Sequence, residues 1–303
     1  MAENELMKAT QNWLDMWLND LKMHGAFEKT IETYHRGLLR FLRWLAEQGI
    51  TEPTAQDIAH YRDDLKSRYA AKTVNLSLSA VRSFYKFLVK NGAITHSPAA
   101  DVEGIKMPKN GHKRGYLSND EVLAVFDTCD QSPIGIRDRA ILMLMAYCAL
   151  REIEIQRANV SDLRANGRLL LWVQGKGHTE PDEYVVIPRE QERVMRAWLA
   201  ERAKVSPDSD ALFISLSKRN RGERLSTRAI RNMVNERFEQ AGIVGADKTT
   251  HSLRHSAITA AIRNGASPLQ VQAMARHRSF DTTLGYVHEV NRLDSPAEDL
   301  ISY

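Results

Sequence analysis

Three imidazoles, a guanidinium and a phenol gather near the end of this 303-residue chain: His251-Ser-Leu-Arg254-His255, then His277, then Tyr286 nine positions further on. Tyrosine is a poor nucleophile at neutral pH, with an ordinary pKa near ~10, so using one demands neighbouring cations and proton acceptors. The cluster supplies both, as covalent attack on a phosphodiester requires. Such a reaction must stabilise charge on a pentacovalent phosphorus, protonate the leaving oxygen and hold the nucleophile in line. Arginine suits the first task, because its planar fork stays charged and binds two oxygens at once. Arg151 and Arg254 are the candidates, with His277 as a third donor. Lys176, flanked by Gly175 and Gly177 at a hairpin tip, fits a general acid for the leaving oxygen. His251 is placed to exchange a proton with the attacking or the leaving oxygen, and His255, one helical turn later, to orient it. Glu154 follows Arg151 by three residues, on the same helical face, and reads as a carboxylate paired with an active-site cation. Each residue alone reads more readily as a surface cation, a turn lysine or a carbonyl-satisfying histidine. Their order as a set points to one site.

The elements that must position them follow from periodicity. Residues 3–23 and 28–46 carry apolar residues at helical spacing, Thr54 with Asp57 forms a capping box for a third helix, and Thr73 to Val89 is a fourth, stopped at Asn91-Gly92. Trp13, Trp17, Phe41 and Trp44 read as the core of this helical domain, 1–105. Gly104 to Gly115 has glycine, proline and cations without apolar period, so 106–115 reads as a linker. Ser118-Asn-Asp-Glu121 is a capping box that opens a second domain, 116–303. In it Ile136 to Cys148 is an apolar helix, Arg151 to Arg157 begins another, and 169–173 pairs with 184–187 as two strands. Helices resume at 189–203, 227–241 and Ser252 to Arg263; Ser267-Pro268 opens the next, and Asp281 caps a short final turn carrying Tyr286.

Composition narrows the partners. The hydrophobic fraction of 43% with 26% charged residues is that of a folded water-soluble chain, and no apolar run is long enough to span a bilayer. The first residues lack a secretory leader pattern, so a cytoplasmic protein is expected. Two cysteines are too few for a disulfide framework or a thiolate metal cluster, and no metal site is expected. Net charge is +4, and the excess lies wholly in 106–115, with Lys106, Lys109, Lys113 and Arg114. Residues 65–100 add Lys66, Arg68, Lys72, Arg82, Lys86 and Lys90 with no acid, and a third stretch runs from Lys218 to Arg231. Such surfaces suit a phosphate backbone; solvated faces look the same. Lys72, Arg82, Lys86, the four linker cations, Arg224 and Arg228 are the expected DNA contacts.

Ala149-Leu-Arg151-Glu-Ile-Glu154-Ile, Gly175-Lys176-Gly177, His251-Ser-Leu-Arg254-His255 and Ala275-Arg-His277 through Tyr286-Val-His288 together resemble the successive active-site boxes of tyrosine recombinases. That family includes phage-type integrases and Xer-type chromosome resolvases. Thr30-Ile-Glu-Thr-Tyr34 with Leu38, Phe41, Leu42 and Trp44 is similar to its SAM-like core-binding domain, so the resemblance spans nearly the whole chain. It implies a mainly α protein: a four-helix core-binding domain and a mostly helical catalytic domain with a small antiparallel sheet, forming a C-shaped clamp on DNA. Arg151, Arg254 and His277 would bind the scissile phosphate, Lys176 would protonate the 5′ oxygen, His251 would assist, and Tyr286 would form a 3′-phosphotyrosyl link. No metal, ATP or other cofactor is implied. The implied partners are double-stranded DNA with an inverted-repeat core site and three further copies of the chain, a dimer per site and a homo-tetramer on two duplexes. The tail 288–303 would be exchanged between protomers. No membrane is implied, and the implied setting is the cytoplasm of a prokaryote, in association with the nucleoid.

Two positions depart from the family pattern. Glycine usually precedes the Leu-Arg of the first box and the histidine of the last, where this chain has Ala149 and Arg276. Ala149 implies a slightly different turn, costing ~1 kcal/mol if φ is positive. Arg276 either crowds its surroundings or adds a phosphate contact. A type IB topoisomerase-like nicking-closing enzyme and a non-catalytic DNA-binding protein of the same fold are the competing readings.

Overall fold

The apolar spacing of the first part of the chain closes into four helices, α1 (Ala2–Met23), α2 (Glu28–Gln48), α3 (Ala55–Arg68) and α4 (Ala71–Lys90). The computed structural model describes residues 2–106, 115–175, 180–205, 209–245, 247–294 and 296–301. The chain divides into two units, Met1–Gly111 and His112–Tyr303. In the first, Trp17, Leu38, Phe41, Ile58, Tyr61, Leu78 and Val81 are sealed from solvent, each such apolar side chain worth roughly 1.5–3 kcal/mol on burial. Phe41 meets Tyr61 edge to face at 5.0 Å, and Trp17 meets Phe84 at 5.5 Å. Trp13 and Trp44 are half-buried against the same core. Helices α2 and α4 cross closely because Gly37 has no side chain: a Cβ there would stand 3.0 Å from that of Ala80. The capping box of α3 forms with aspartate in place of the longer acid, Thr54 N–H donating to Asp57 at 2.8 Å. Asn75 on α4 then holds the chain beyond it, exchanging two hydrogen bonds with the backbone of Ile105, at 2.8 and 2.9 Å.

The second unit is built on α6 (Pro133–Cys148), whose Ile141, Leu142, Met143, Leu144 and Met145 are all fully buried. A helix apolar on every face must be covered on every face. Around α6 stand α5 (Asn119–Asp127), α7 (Glu152–Arg157), α8 (Glu192–Ala203), α9 (Thr227–Gln240) and α10 (Thr250–Arg263). Next come α11 (Pro268–Ala275) and α12 (Phe280–Asp294). Strands β1 (Leu163–Ala165), β2 (Leu169–Val173) and β3 (Glu183–Val186) form an antiparallel meander, with Leu171 opposite both Leu163 and Val185. Trp198 of α8, fully buried, stacks on Phe213 and donates its indole N–H to the Leu212 carbonyl at 2.9 Å.

Two local arrangements matter below. Asp138, on α6, is buried between two guanidiniums, accepting from Arg137 and from Arg237 of α9 at 2.7 Å each. The chain entering this unit is fastened to α10 before it reaches α5. Leu117 N–H donates to Ser256 Oγ at 2.7 Å, Lys248 Nζ to the Tyr116 carbonyl at 2.6 Å, and Arg263 covers the Tyr116 ring at 5.3 Å.

Two expectations need correction. Tyr286 sits on a 15-residue helix, not on a short final turn, so residues 288–294 of the expected tail continue the helix that carries Tyr286. The sheet has a third strand, β1, whose three residues give too short an alternation to read.

Candidate active site

Two helices end in left-handed turns that no glycine occupies. Ala149 closes α6 at φ 52°, and Arg276 closes α11 at φ 53°. They are the only non-glycine residues with positive φ among the described residues, and each conformation costs roughly 1–2 kcal/mol. The Ala149 turn therefore keeps the left-handed form usually given to glycine and carries the strain. Each turn redirects the chain just before a candidate site residue: Arg151 N-caps α7, and His277 follows Arg276 directly. The Arg276 N–H bonds the Ala273 carbonyl and the His277 N–H that of Gln272, both at 3.2 Å, satisfying the carbonyls that the end of α11 leaves open.

Arg254, buried on α10, joins the two turns. One of its terminal nitrogens donates to the Ala149 carbonyl and the other to the Ala275 carbonyl. Burial, with Arg151 close by, pushes its guanidinium down to about 9, still charged at neutral pH. A guanidinium has five N–H donors, so two backbone bonds leave donors for an oxyanion.

Glu154 is the hub beside it, with no exposed side-chain surface. It accepts from the Arg151 backbone N–H, from Arg151 Nη1 and from Arg276 Nη2, each at 2.7 Å. Burial would raise its pKa, but Arg276 first and Arg151 second outweigh burial and hold the carboxyl below its ordinary value. Arg276 is thus neither a clash nor a surface cation. Its side chain is 2% exposed, with Nη1 donating to the Met274 carbonyl at 2.7 Å. Arg151, by contrast, keeps 26% of its side chain exposed.

Tyr286 packs among Ala149, Ala257, Ile258, Val271 and Ala275. Its ring stacks on His277 with centroids 5.8 Å apart and planes 13° from parallel. Its hydroxyl hydrogen-bonds with His255 Nδ1. Burial pushes the phenol up to about 12, while Arg254 and Arg151 pull the other way. The sequence reading has His255 orienting His251; the structure sets its Nδ1 against the Tyr286 hydroxyl, one turn beyond His251 on α10. His277 Nδ1 hydrogen-bonds with Thr283 Oγ1 at 2.9 Å, which fixes the imidazole's orientation. His251 stands in the first turn of α10, half-buried, three residues before Arg254.

Arg151, Arg254, His277 and Tyr286, with Glu154 and His255, therefore converge. Lys176 lies outside the described residues, as do Lys109, Lys113 and Arg114; Arg157 donates to the Gly175 carbonyl at 3.2 Å, pinning the described end of the hairpin to α7. Of the expected DNA contacts, Lys72, Lys86, Lys106 and Arg228 are exposed. Arg224 is not available in the same way: it donates to the carbonyls of Gln156, Arg157 and Ala158 at 2.9–3.0 Å and to Asn159, closing the C-terminus of α7. Arg82 likewise donates to the Val102 carbonyl. Sequence reasoning missed Thr283 and also Glu152, which bonds Arg231 of α9 and Thr250 of α10. Neither stands out by type or spacing. Among the described residues no three His, Cys, Asp or Glu side chains converge to hold a metal ion.

Residues 115–292 match the phage integrase family, and residues 14–92 match the SAM-like N-terminal domain of phage integrases. The chain belongs to the phage integrase family. Among its relatives, tyrosine recombinase XerC of Serratia marcescens is 30% identical over 288 residues, covering 92% of this chain and 90% of that protein. Tyrosine recombinase XerC of Haemophilus influenzae (strain ATCC 51907 / DSM 11121 / KW20 / Rd) is 32% identical over 267 residues, covering 86% of each. The fold is also that of XerH site-specific recombinase bound to palindromic difH substrate in a post-cleavage complex, at TM-score 0.76 and 18% identity, over 95% of this chain and 88% of that one. The resemblance to Xer-type tyrosine recombinases thus holds, as does a mainly helical fold with a SAM-like first unit and a small antiparallel sheet in the second. No helix among the described residues is long and apolar enough to cross a membrane.

Proposed function

We propose that this protein is a site-specific DNA recombinase that cuts and rejoins duplex DNA through a covalent 3′-phosphotyrosyl intermediate. The observation that carries the reading is the convergence of Tyr286 with two imidazoles beside the Arg254 and Arg151 guanidiniums. In the forward step the Tyr286 oxygen bonds to phosphorus and the bond from phosphorus to the 5′ oxygen breaks. The phenol proton passes to an imidazole of α10, where His255 already meets the hydroxyl and His251 lies one turn away. Lys176 gives a proton to the departing 5′ oxygen. Arg151, Arg254 and His277 bind the non-bridging oxygens, whose charge grows in the transition state; such donors are commonly worth ~10² to 10³ in rate. Because the phosphoester is exchanged and not hydrolysed, the 5′ hydroxyl of another strand can reverse the step without ATP.

The substrate in this reading is double-stranded DNA with an inverted-repeat core site, as the palindromic substrate of XerH suggests. A dimer holds each site and a homo-tetramer joins two duplexes. The helical unit, residues 1–105, supplies DNA contacts through Lys72 and Lys86 on α4, the linker 106–115 through Lys106, and the catalytic unit through Arg228 on α9. Protomers exchange the end of the tail; Ile301, 59% exposed, is an apolar side chain that such an exchange would bury. A nucleoid location follows from the substrate.

The test is a nicked duplex carrying the sequence that the protein selects from a random-sequence pool. Wild type is expected to give a protein–DNA adduct that survives denaturation, and Tyr286→Phe to give none. An adduct with Tyr286→Phe would remove Tyr286 as the nucleophile. Relaxation of any supercoiled plasmid, without sequence preference, would favour a nicking-closing enzyme instead.

A further inference from the structure

We propose that Arg276 is a positioning residue that keeps Arg151 available to the scissile phosphate by competing for Glu154. The inference deepens the recombinase reading and rests on it. Arg276 cannot reach a phosphate as it stands. Its side chain is 2% exposed, and its terminal nitrogens bond Glu154 and the Met274 carbonyl at 2.7 Å, with the Ala149 carbonyl 3.4 Å away. Its Nε is buried with no hydrogen-bond partner, and its backbone is held at φ 53°. A residue kept in a left-handed turn, with one donor unsatisfied, is strained twice over. What the strain accompanies is the bond to Glu154.

That bond decides what Arg151 does. Glu154 Oε2 is shared between the Arg151 backbone N–H and Arg276, which leaves only Oε1 for the Arg151 side chain. Arginine and a carboxylate pair best as a fork, two parallel N–H donors on two oxygens. Arg276 blocks that fork by occupying the second oxygen. With Arg276 absent, Glu154 is free to take Arg151 in bidentate fashion and hold its guanidinium back from the DNA. Charge points the same way. One carboxylate between two guanidiniums leaves a net positive centre beside Arg254, whereas one carboxylate on one guanidinium is neutral.

Arg276→Gly tests this, since glycine accepts the left-handed turn without strain; a melting curve like that of wild type confirms folding. Two nicked substrates of the selected sequence are compared, one with an ordinary scissile phosphate and one with a methylphosphonate there, which lacks the negative oxygen that Arg151 would neutralise. Arg276→Gly is expected to slow adduct formation about tenfold to a hundredfold on the phosphate, and less than about threefold on the methylphosphonate. Adding Glu154→Gln, which removes the charge that captures Arg151, is expected to recover most of the loss. Equal slowing on both substrates, no slowing on the phosphate, or no recovery in the double variant would each overturn the proposal. If wild type makes no adduct on the phosphate, the recombinase reading falls and takes this proposal with it; a failure confined to the Arg276→Gly comparison leaves that reading standing.

Discussion

The catalytic unit buries two carboxylates between pairs of arginines, and the two clusters are built for opposite ends. Asp138 sits at 3% exposure between Arg137 and Arg237, which are 11% and 12% exposed: both sides are closed. Glu154 is fully buried too, but its arginines differ, Arg276 at 2% and Arg151 at 26%. The first cluster joins α6 to α9. In the second, one arginine anchors the acid so that the other can face outwards. A buried ion pair is weak evidence of stabilisation, because desolvation offsets much of the attraction; what distinguishes these two is whether one member is left able to change partners.

The largest effect should come from unpairing the closed cluster. Asp138→Asn leaves two nearly buried guanidiniums without a counter-charge and is expected to cost about 3–5 kcal/mol of stability, read from a denaturant melt, with adduct yield per folded molecule unchanged. Arg151→Ala should do the reverse. It is expected to slow adduct formation by about 10² to 10³ with little shift in melting temperature. If Asp138→Asn slows the chemistry of the folded fraction, or if Arg151→Ala unfolds the protein, the two clusters are not different in kind.

Alkaline pH sharpens the contrast, since the Glu154 cluster, unlike the Asp138 cluster, has an ionisable phenol buried beside its arginines. The Tyr286 pKa rises from its ordinary 10 to about 12 in the folded state. Between those values the unfolded chain has lost the proton and the folded chain has kept it, so stability present below pH 10 is lost as pH climbs towards 12. The loss from this group is at most about 3 kcal/mol. Tyr286→Phe should therefore fall less in stability than wild type across that window, and a parallel fall would show that burial of Tyr286 does not set the slope. The smallest effect concerns the turn beside Glu154. Ala149→Gly relieves about 1–2 kcal/mol of left-handed strain but frees the unfolded chain by about 0.5–1 kcal/mol. A net gain of about 0.5–1 kcal/mol is expected in the melt, and a loss would mean that the Ala149 methyl packs more favourably than its backbone is strained.

The fold was largely legible because its helices carry their own signals: the capping boxes at Thr54 and Ser118 form, and Ser267-Pro268 opens α11. Arg151, Arg254, His277 and Tyr286, which the fold brings together, stand out in the sequence by their order along the chain. What was not legible was direction. Arg224 and Arg228 stand four residues apart in one cationic stretch, yet one closes a helix end and the other faces solvent. Charge is the same in both, and only the backbone decides. Arg276 escaped for a related reason: its type says cation, but its left-handed turn folds the side chain inwards onto an acid 122 residues earlier. Three residues of alternation in β1 and one hydroxyl at Thr283 are below what a pattern can register.

The fastening of Tyr116 and Leu117 to Ser256, Lys248 and Arg263 gives the catalytic unit a mechanical input. A pull on the chain where it enters at residue 115 is not spent on unravelling α5. It is delivered first to α10, the rod that bears His251, Arg254 and His255, so tension in the incoming chain and alignment of these three side chains share one load path.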